Sequence, residues 1–293
     1  MSTIGFVGLG VMGAPMARNL VRGGHSVRGY DIDLTVMNGI AADGVVRTGS
    51  AAEAAEGAEV VITMLPSGCL VMDAVFGASG VCEGVDRGAL VIDMSTVLPM
   101  DTDEIGRRLR DHGVAMVDAP VGRSSQHAVD GKLLIMAGGA AGDLERARPV
   151  LQLLGDTIVH CGALGMGSRM KIVNNFMAIA MNAVTAEALT LAEASGLERD
   201  VVLDVLRSTT AGQGHLNTTY PAKVLKGDTS PGFMIDLALK DLRLALKLAE
   251  SLNAPVTVGA AAEALYVQAQ EHGNGRKDWT VLYSTVRALA GLE

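Results

Sequence analysis

The 293-residue sequence is short of cysteine, of positive charge and of uninterrupted apolar runs, and each shortage removes a class of function. Its three cysteines, Cys69, Cys82 and Cys161, are odd in number, widely spaced and never in a CxxC pair. Neither a disulfide framework nor a zinc site is indicated, and a reducing compartment is expected. Lys and Arg number 24 against 32 Asp and Glu, for a net charge of −8 and a pI near 5.3. No basic run or aromatic-interleaved patch offsets that field, which argues against nucleic acid, and any anionic ligand must be held by a local cluster of cations. No uninterrupted apolar stretch of spanning length is seen, so no membrane is expected. The start, MSTIGFVGLG, lacks a basic segment followed by a long apolar run, so no signal peptide and a cytoplasmic location are expected. The histidines, His25, His112, His127, His160, His215 and His272, form no HExxH and no close pair with carboxylates. Metal catalysis has no support, and these side chains are expected at the surface or in loops.

What is present is ample core material. Hydrophobic residues make up 49% of a chain long enough for one large domain or two ordinary ones. The apolar run 4–7 leads directly into Gly8-Leu9-Gly10-Val11-Met12-Gly13, and a helical pattern carrying Met16, Leu20 and Val21 follows. In a strand, glycine turn and helix of this kind the first glycine permits the turn, the second lets backbone approach a pyrophosphate, and the third lets helix pack on strand. Pro15 suits the first helical turn. A second strand, 26–30, ends at Asp31, eighteen positions past Gly13, where a carboxylate suits the two ribose hydroxyls of NAD. Ile32 and Asp33 follow instead of an Arg, and a second carboxylate would repel the extra phosphate of NADP, so NAD is the expected cofactor.

Strands at 59–64, 89–94, 114–118, 132–137 and 157–160 alternate with helical stretches, the rhythm of a doubly wound, mostly parallel sheet. Ligands bind such sheets beyond the carboxyl ends of the strands. Attention therefore falls on Leu65-Pro66-Ser67, Ser95-Thr96 and Ala119-Pro120-Val121-Gly122-Arg123-Ser124. Turn chemistry alone would account for Ser95 and Thr96 taken singly. Asp118 could act as a base, but an Asp at a strand end more often caps a turn. After about residue 162 the β pattern stops, which places a domain boundary there, with domains 1–162 and 163–293. A helix over 168–196, with Ser168 as N-cap and Gly196 as C′ residue, would be roughly 42 Å long and is expected to run between domains or into a partner subunit. Shorter helices are expected near 198–208, 233–252, 256–272 and 279–290, the last capped by Asp278, with 209–232 irregular.

The long helix has a polar patch near its start. Lys171, Asn174, Asn175 and Ala178 are spaced i, i+3, i+4 and i+7 and share one face. An amine and two carboxamides buried unpaired would cost on the order of 1–3 kcal/mol each, so they need a polar ligand or solvent. The fifteen methionines are expected as core filler, and Trp279 as a packing residue.

With GFVGLGVMGAPMARNL, the ending DMST, the DAPV segment, the helix carrying Lys171 and Asn175, and Lys240-Asp241 in that order, the whole chain resembles the β-hydroxyacid dehydrogenases. That family includes 3-hydroxyisobutyrate dehydrogenase and tartronate semialdehyde reductase. The resemblance implies an α/β N-terminal Rossmann domain, an all-α C-terminal domain joined to it by the long helix, an active site in the cleft between them, and Lys171 as catalytic acid/base. It implies cofactor binding by Gly8, Gly10, Val11, Met12, Gly13, Asp31, Leu65, Thr96 and Lys240. Substrate binding falls to Arg123, Ser124, Asn174, Asn175 and the position of Ala178.

Where most of the family reads DAPVSGG, this chain reads Asp118-Ala119-Pro120-Val121-Gly122-Arg123-Ser124. An Arg has entered a pocket that otherwise holds a substrate carboxylate. The rigid guanidinium fork suits a three-oxygen anion such as a sulfonate. That block, Lys171-Ile172-Val173-Asn174-Asn175, the segment 209–215 and the ending GRKDW look like the branch acting on 3-sulfolactaldehyde, an intermediate of sulfoquinovose breakdown. Ala178 stands where serine would be expected there, leaving Arg123 and Asn174 with more of the anion. The expected activity is NADH-dependent reduction of 3-sulfolactaldehyde to 2,3-dihydroxypropane-1-sulfonate. The alternatives are reduction of a carboxylate semialdehyde (tartronate, succinate or 3-hydroxyisobutyrate type) and a non-catalytic dinucleotide sensor. A homodimer or homotetramer is expected from the apolar surface of the long helix and of 233–252.

Overall fold

The computed structural model describes residues 2–292, and the chain divides after Phe176 into two compact units. The first is built on nine strands: β1 (Thr3–Val7), β2 (Ser26–Tyr30), β3 (Val46–Arg47), β4 (Val60–Thr63), β5 (Leu90–Asp93), β6 (Ala115–Asp118), β7 (Val121–Gly122), β8 (Leu133–Gly138) and β9 (Gly155–Gly162). They lie in the order β3-β2-β1-β4-β5-β6-β8-β7, with β9 paired to β8. The first six are parallel, and their order 3-2-1-4-5-6 is that of a doubly wound dinucleotide-binding sheet, whose direction of winding reverses between β1 and β4.

The period of two along each strand explains why helices cover both faces. Ile4, Phe6, Ile62, Leu90 and Ile92 pack with Met16 and Leu20 in one core, whereas Val7, Val61 and Val91 turn to the other face and meet Val71, Val75, Ile105 and Leu109. Each strand expected from the sequence is present. Two were not anticipated, β3 and β7, which at two residues each are too short to carry an alternation. The chain also reverses after β6. Asp118 pairs antiparallel with Gly138, and β7 continues along β8 with Val121 opposite Ile135.

The second unit is helical, with helices Arg199–Ser208, Ile235–Ser251, Thr257–Ala269 and Leu282–Leu289. The stretch expected to be irregular contains single turns, Thr210–Gln213, Thr219–Ala222 and Val224–Lys226. Glu187 caps the Thr257–Ala269 helix, accepting from the N–H groups of Val258 (2.8 Å) and Gly259 (3.2 Å). Asp278 is a cap as expected, taking the Thr280 N–H at 3.1 Å. Trp279 is a packing residue, edge-on to Phe233 (5.1 Å between centroids) and His215 (4.6 Å). His215 lies in a turn, as expected, but is half-buried in this aromatic cluster, and burial pushes its imidazole pKa down.

One helix, Met166–Ala194, starts in the first unit and ends in the second. Its end is as read: Gly196 takes φ +76°, its N–H reaches the Glu193 carbonyl, and the Leu197 N–H reaches Ala192, the paired bonds of a Schellman stop. Its start corrects the sequence reading. Ser168 is not the N-cap, because the helix begins two residues earlier and Asp118, fifty positions away, accepts the Ser168 N–H. Two further points concern apolar residues. This helix is long and apolar enough to cross a membrane by length and composition, although Asn174, Asn175 and Asn182 keep it from being the uninterrupted apolar stretch whose absence the sequence shows. The methionines divide: Met16 and Met94 fill the core, but Met170, Met177 and Met181 are exposed on this helix.

Candidate active site

The carboxyl ends of β1 to β4 open on a cavity of about 520 Å³, lined by Gly8, Gly10, Asp31 and Leu65 among the residues anticipated. The glycines differ as the motif requires. Gly8 has φ +95°, and a Cβ there would collide with the Met64 carbonyl. At Gly13 a Cβ would strike the Gly8 carbonyl, so this glycine lets the first helix, Gly13–Arg22, close on β1. Gly10 faces open space, as close approach of a ligand demands. Among the described residues the N–H groups of Gly10, Val11 and Met12 make no hydrogen bond, which leaves three donors at a helix start for an anion. Val11 and Met12 lie on that turn and contribute backbone, not lining.

Asp31 is held at the tip of β2 by the N–H groups of Leu9 (2.6 Å) and Asp33 (2.8 Å). Its carboxylate thus stands beside the glycine turn with lone pairs left for ribose hydroxyls. Tyr30, Ser50, Asp73 and Ser79 also line the cavity and were not anticipated. Tyr30 ends β2, where the rule that ligands lie beyond strand ends would have pointed to it; Ser50 follows β3, too short a strand to be read from sequence, and Asp73 and Ser79 sit on and after the helix Gly68–Phe76.

Next along the sheet, Asp93 is fully buried. Its Oδ1 accepts from the Thr63 hydroxyl (2.8 Å) and the Ser95 N–H (3.1 Å), while Oδ2 has no partner among the described residues. Burial, outweighing those bonds, pushes its carboxyl pKa up. Ser95 in turn accepts the Leu65 N–H at 2.9 Å, so the ends of β4 and β5 are tied into one rim. Ser95 is therefore a structural link, and its neighbour Thr96 is the exposed member of the pair.

Asp118, also buried, faces the first turn of the long helix. Its Oδ1 accepts the Gly165 N–H and its Oδ2 the Ser168 N–H, each at 2.7 Å. Desolvation raises its pKa against the lowering effect of those donors. One turn on stands Lys171, half-buried, forming neither ion pair nor hydrogen bond among the described residues. Its pKa is lowered by desolvation alone. Among the described residues no cationic neighbour contributes: Arg169, two residues before it, is held in a bidentate pair with Asp103 (2.7 and 3.2 Å). Asn174 donates to Asn175 at 3.2 Å, so the two carboxamides meet beside the amine; Asn175 is half-buried, whereas Asn174 and Ala178 are exposed.

Arg123 lies beyond β7 with φ +74°, left-handed backbone that a glycine adopts without cost. Its guanidinium donates to the Lys132 carbonyl, to Asp156 Oδ1 (2.7 Å) and to Thr157 Oγ1 (3.2 Å). The fork is thus pinned at the β8 and β9 starts and is not joined to Asn174. Ser124 bonds His127 Nδ1 at 2.8 Å and opens the turn Ser125–Val129. Lys240, in the second unit, is exposed and paired with Asp241 at 2.9 Å.

Two family profiles match nearly the whole chain: the NAD binding domain of 6-phosphogluconate dehydrogenase over residues 3–162, and the NAD-binding domain of NADP-dependent 3-hydroxyisobutyrate dehydrogenase over residues 165–286. A 3-sulfolactaldehyde reductase of Escherichia coli K12 is 47% identical over 292 residues, spanning 100% of this chain and 98% of that protein. The chain belongs to the 3-hydroxyisobutyrate dehydrogenase family. A probable 3-hydroxyisobutyrate dehydrogenase of Mycobacterium tuberculosis H37Rv is 38% identical over 297 residues, 99% of each chain. The solved Mycobacterium tuberculosis 3-hydroxyisobutyrate dehydrogenase with L-serine is 38% identical, has a TM-score of 0.69 and covers 98% of this chain and 99% of that one. An imine reductase variant of Myxococcus stipitatus in complex with NAD+ shares the fold at TM-score 0.89 and 18% identity, covering 98% and 99%. As a 3-hydroxyisobutyrate dehydrogenase family member the protein is an NAD-dependent oxidoreductase of a small hydroxy acid or semialdehyde, which sets the sensor alternative aside.

Proposed function

We propose that this enzyme reduces 3-sulfolactaldehyde to 2,3-dihydroxypropane-1-sulfonate with NADH, in the cytoplasm and as a step of sulfoquinovose breakdown. Residues 1–162 serve the cofactor; 163–293 serve substrate and assembly. The observation that carries the substrate is Arg123: a non-glycine residue at φ +74°, in a block where the family resemblance gives glycine. Left-handed backbone at a bulky residue costs on the order of 1–2 kcal/mol, and such strain is kept where a side chain is needed. The 47% identity to a 3-sulfolactaldehyde reductase supports the same reading.

NADH, held by the glycine turn and Asp31, would supply the hydride for the aldehyde carbon. The oxygen then gathers negative charge, and Lys171 gives it a proton. A half-buried amine with no counter-ion among the described residues is a better acid than one in water, since desolvation disfavours its cation. Asn174 and Asn175 offer amide donors on the same helix face for the substrate hydroxyl and anion. Gly8, Gly10, Val11, Met12 and Gly13 shape the pyrophosphate site, Asp31 holds the ribose, Leu65 and Thr96 border the nicotinamide end, and Lys240 is a further cofactor contact. The second carboxylate at Asp33 favours NAD over NADP.

The alternative substrate is a carboxylate semialdehyde, and one observation favours it: the Arg123 fork already has Asp156, Thr157 and the Lys132 carbonyl as partners. Comparing catalytic efficiency on 3-sulfolactaldehyde with tartronate and succinate semialdehydes decides between them. Preference for a carboxylate would discard the sulfonate reading and keep the family.

A further inference from the structure

Among the described residues Asp118 fastens the start of the long helix to the sheet with both oxygens of its carboxylate, and its surroundings leave that fastening little room to shift. The residue itself is fixed at the tip of β6. The following N–H, of Ala119, bonds the Asp93 carbonyl at 2.7 Å, and Asp118 pairs with Gly138 across the reversal of the chain. Its two oxygens then take the N–H groups of Gly165 and Ser168. Glycines on both sides allow this approach: a Cβ on Gly138 would collide with Asp118 Oδ1, and a Cβ on Gly167 would lie 2.9 Å from Oδ2 and collide with the Met136 carbonyl. Two more ties act on the same turn. The hydroxyls of Thr102 and Ser168 meet at 3.0 Å, and Arg169 is locked to Asp103.

Lys171 follows Gly167 and Ser168 by four and three residues, so it stands over them on one helix face, roughly 4.5 Å further along the axis. Helical side chains lean toward the N-terminus, so its amine is carried back over the turn that Asp118 holds. Nothing else holds that amine, which has no polar partner among the described residues.

We propose that Asp118 is the positioning residue for Lys171: by capping the helix from the sheet it sets where the proton donor stands. A displacement of about 1 Å at a reacting group can cost a hundredfold in rate. The inference rests on Lys171 being the proton donor, so Lys171→Ala is measured alongside. In Asp118→Asn one oxygen still accepts an N–H, but the new amide group faces the other N–H and that bond is lost. Its expected effect is a ten- to hundredfold fall in kcat with the dissociation constant for NADH, read by nucleotide fluorescence, within twofold of wild type and one NADH bound per chain. Thr102→Val, which removes only the hydroxyl tie, should lower kcat several-fold with the same unchanged NADH stoichiometry, and it carries the test if Asp118→Asn does not fold. Wild-type kcat in Asp118→Asn, or in Thr102→Val where that must stand in, overturns the inference. So does a fall in kcat matched by an equal fall in NADH stoichiometry, which marks a general loss of folded protein. If Lys171→Ala keeps its turnover, the proton-donor reading fails instead.

Discussion

A lysine amine is a weak acid in water, and the role proposed for Lys171 rests on its being half-buried with no counter-ion among the described residues, so that desolvation brings its pKa down from the ordinary lysine value. The direction of the pH dependence follows. The amine donates only while protonated, so the aldehyde reduction should fall as pH rises through its pKa, and alcohol oxidation should rise over the same interval. That limb is expected below pH 10.4, where an unperturbed lysine would titrate. Lys171→Ala should lower turnover about a hundredfold and remove the limb while NADH binding survives; a full-length pH profile of both enzymes checks this, and an unchanged limb would assign it to another group. Arg123 gives a second test, because stability and function pull apart there. Arg123→Gly relieves left-handed strain worth about 1–2 kcal/mol. It gives up the exposed pair with Asp156 and the bonds to Thr157 Oγ1 and the Lys132 carbonyl. Strain relief and lost hydrogen bonds oppose one another, so folding stability by urea unfolding should stay within about 2 kcal/mol of wild type. The efficiency on the sulfonate aldehyde should drop about tenfold or more, because a charge-assisted hydrogen bond to the sulfonate is worth on the order of 1.5–3 kcal/mol even from a side chain that is exposed without substrate. Equal losses on sulfonate and carboxylate substrates would remove the sulfonate assignment.

At the scale of elements, the two ends of the long helix show what a single sequence can and cannot reveal. Gly196 was legible because a C′ glycine acts on its own neighbours: φ +76° and the bonds to Ala192 and Glu193 are all within five residues. Gly196→Ala meets open space, so nothing but backbone strain opposes it, and a loss of about 1–2 kcal/mol is expected in thermal unfolding. No change would mean that the helix ends elsewhere. The start of the helix was misread since its cap comes from Asp118 across the fold, a contact without local signature. The same division runs through the cofactor site. Strand, glycines and Asp31 were legible because the motif is local, and the roles of Gly8, Gly10 and Gly13 follow from the collisions their Cβ atoms would or would not make. Ser50, Asp73 and Ser79 reach the cavity only through the winding of the sheet. Likewise the partners of Arg123, in β8 and β9, could not be foreseen from a linear motif.

Across the whole molecule the unspent quantity is apolar surface. On the long helix Phe176 is 74% exposed, Ile179 69% and Val173 60%, and on Ile235–Ser251 Leu244 is 57% exposed. Isolated exposed apolar residues are ordinary, but a contiguous run along one helix marks a surface that another body covers. A bilayer is the wrong cover. Burial of Lys171, Asn174 and Asn175 in hydrocarbon would cost several kcal/mol, and the same three residues are the polar face proposed to meet substrate. A second copy of the chain is the better one, because two-fold pairing can set the same apolar run against itself. We therefore expect a homodimer or homotetramer, and sedimentation at micromolar concentration should return a multiple of the 30.3 kDa chain. Phe176→Asp with Ile179→Asp puts two like charges into each half of such an interface and should shift the distribution to monomer. The NADH affinity should be retained, since the glycine turn and Asp31 lie in the other elements of the first unit. A wild-type chain that sediments at its own mass would leave the apolar helix without a partner and exclude self-association as the reason for its composition.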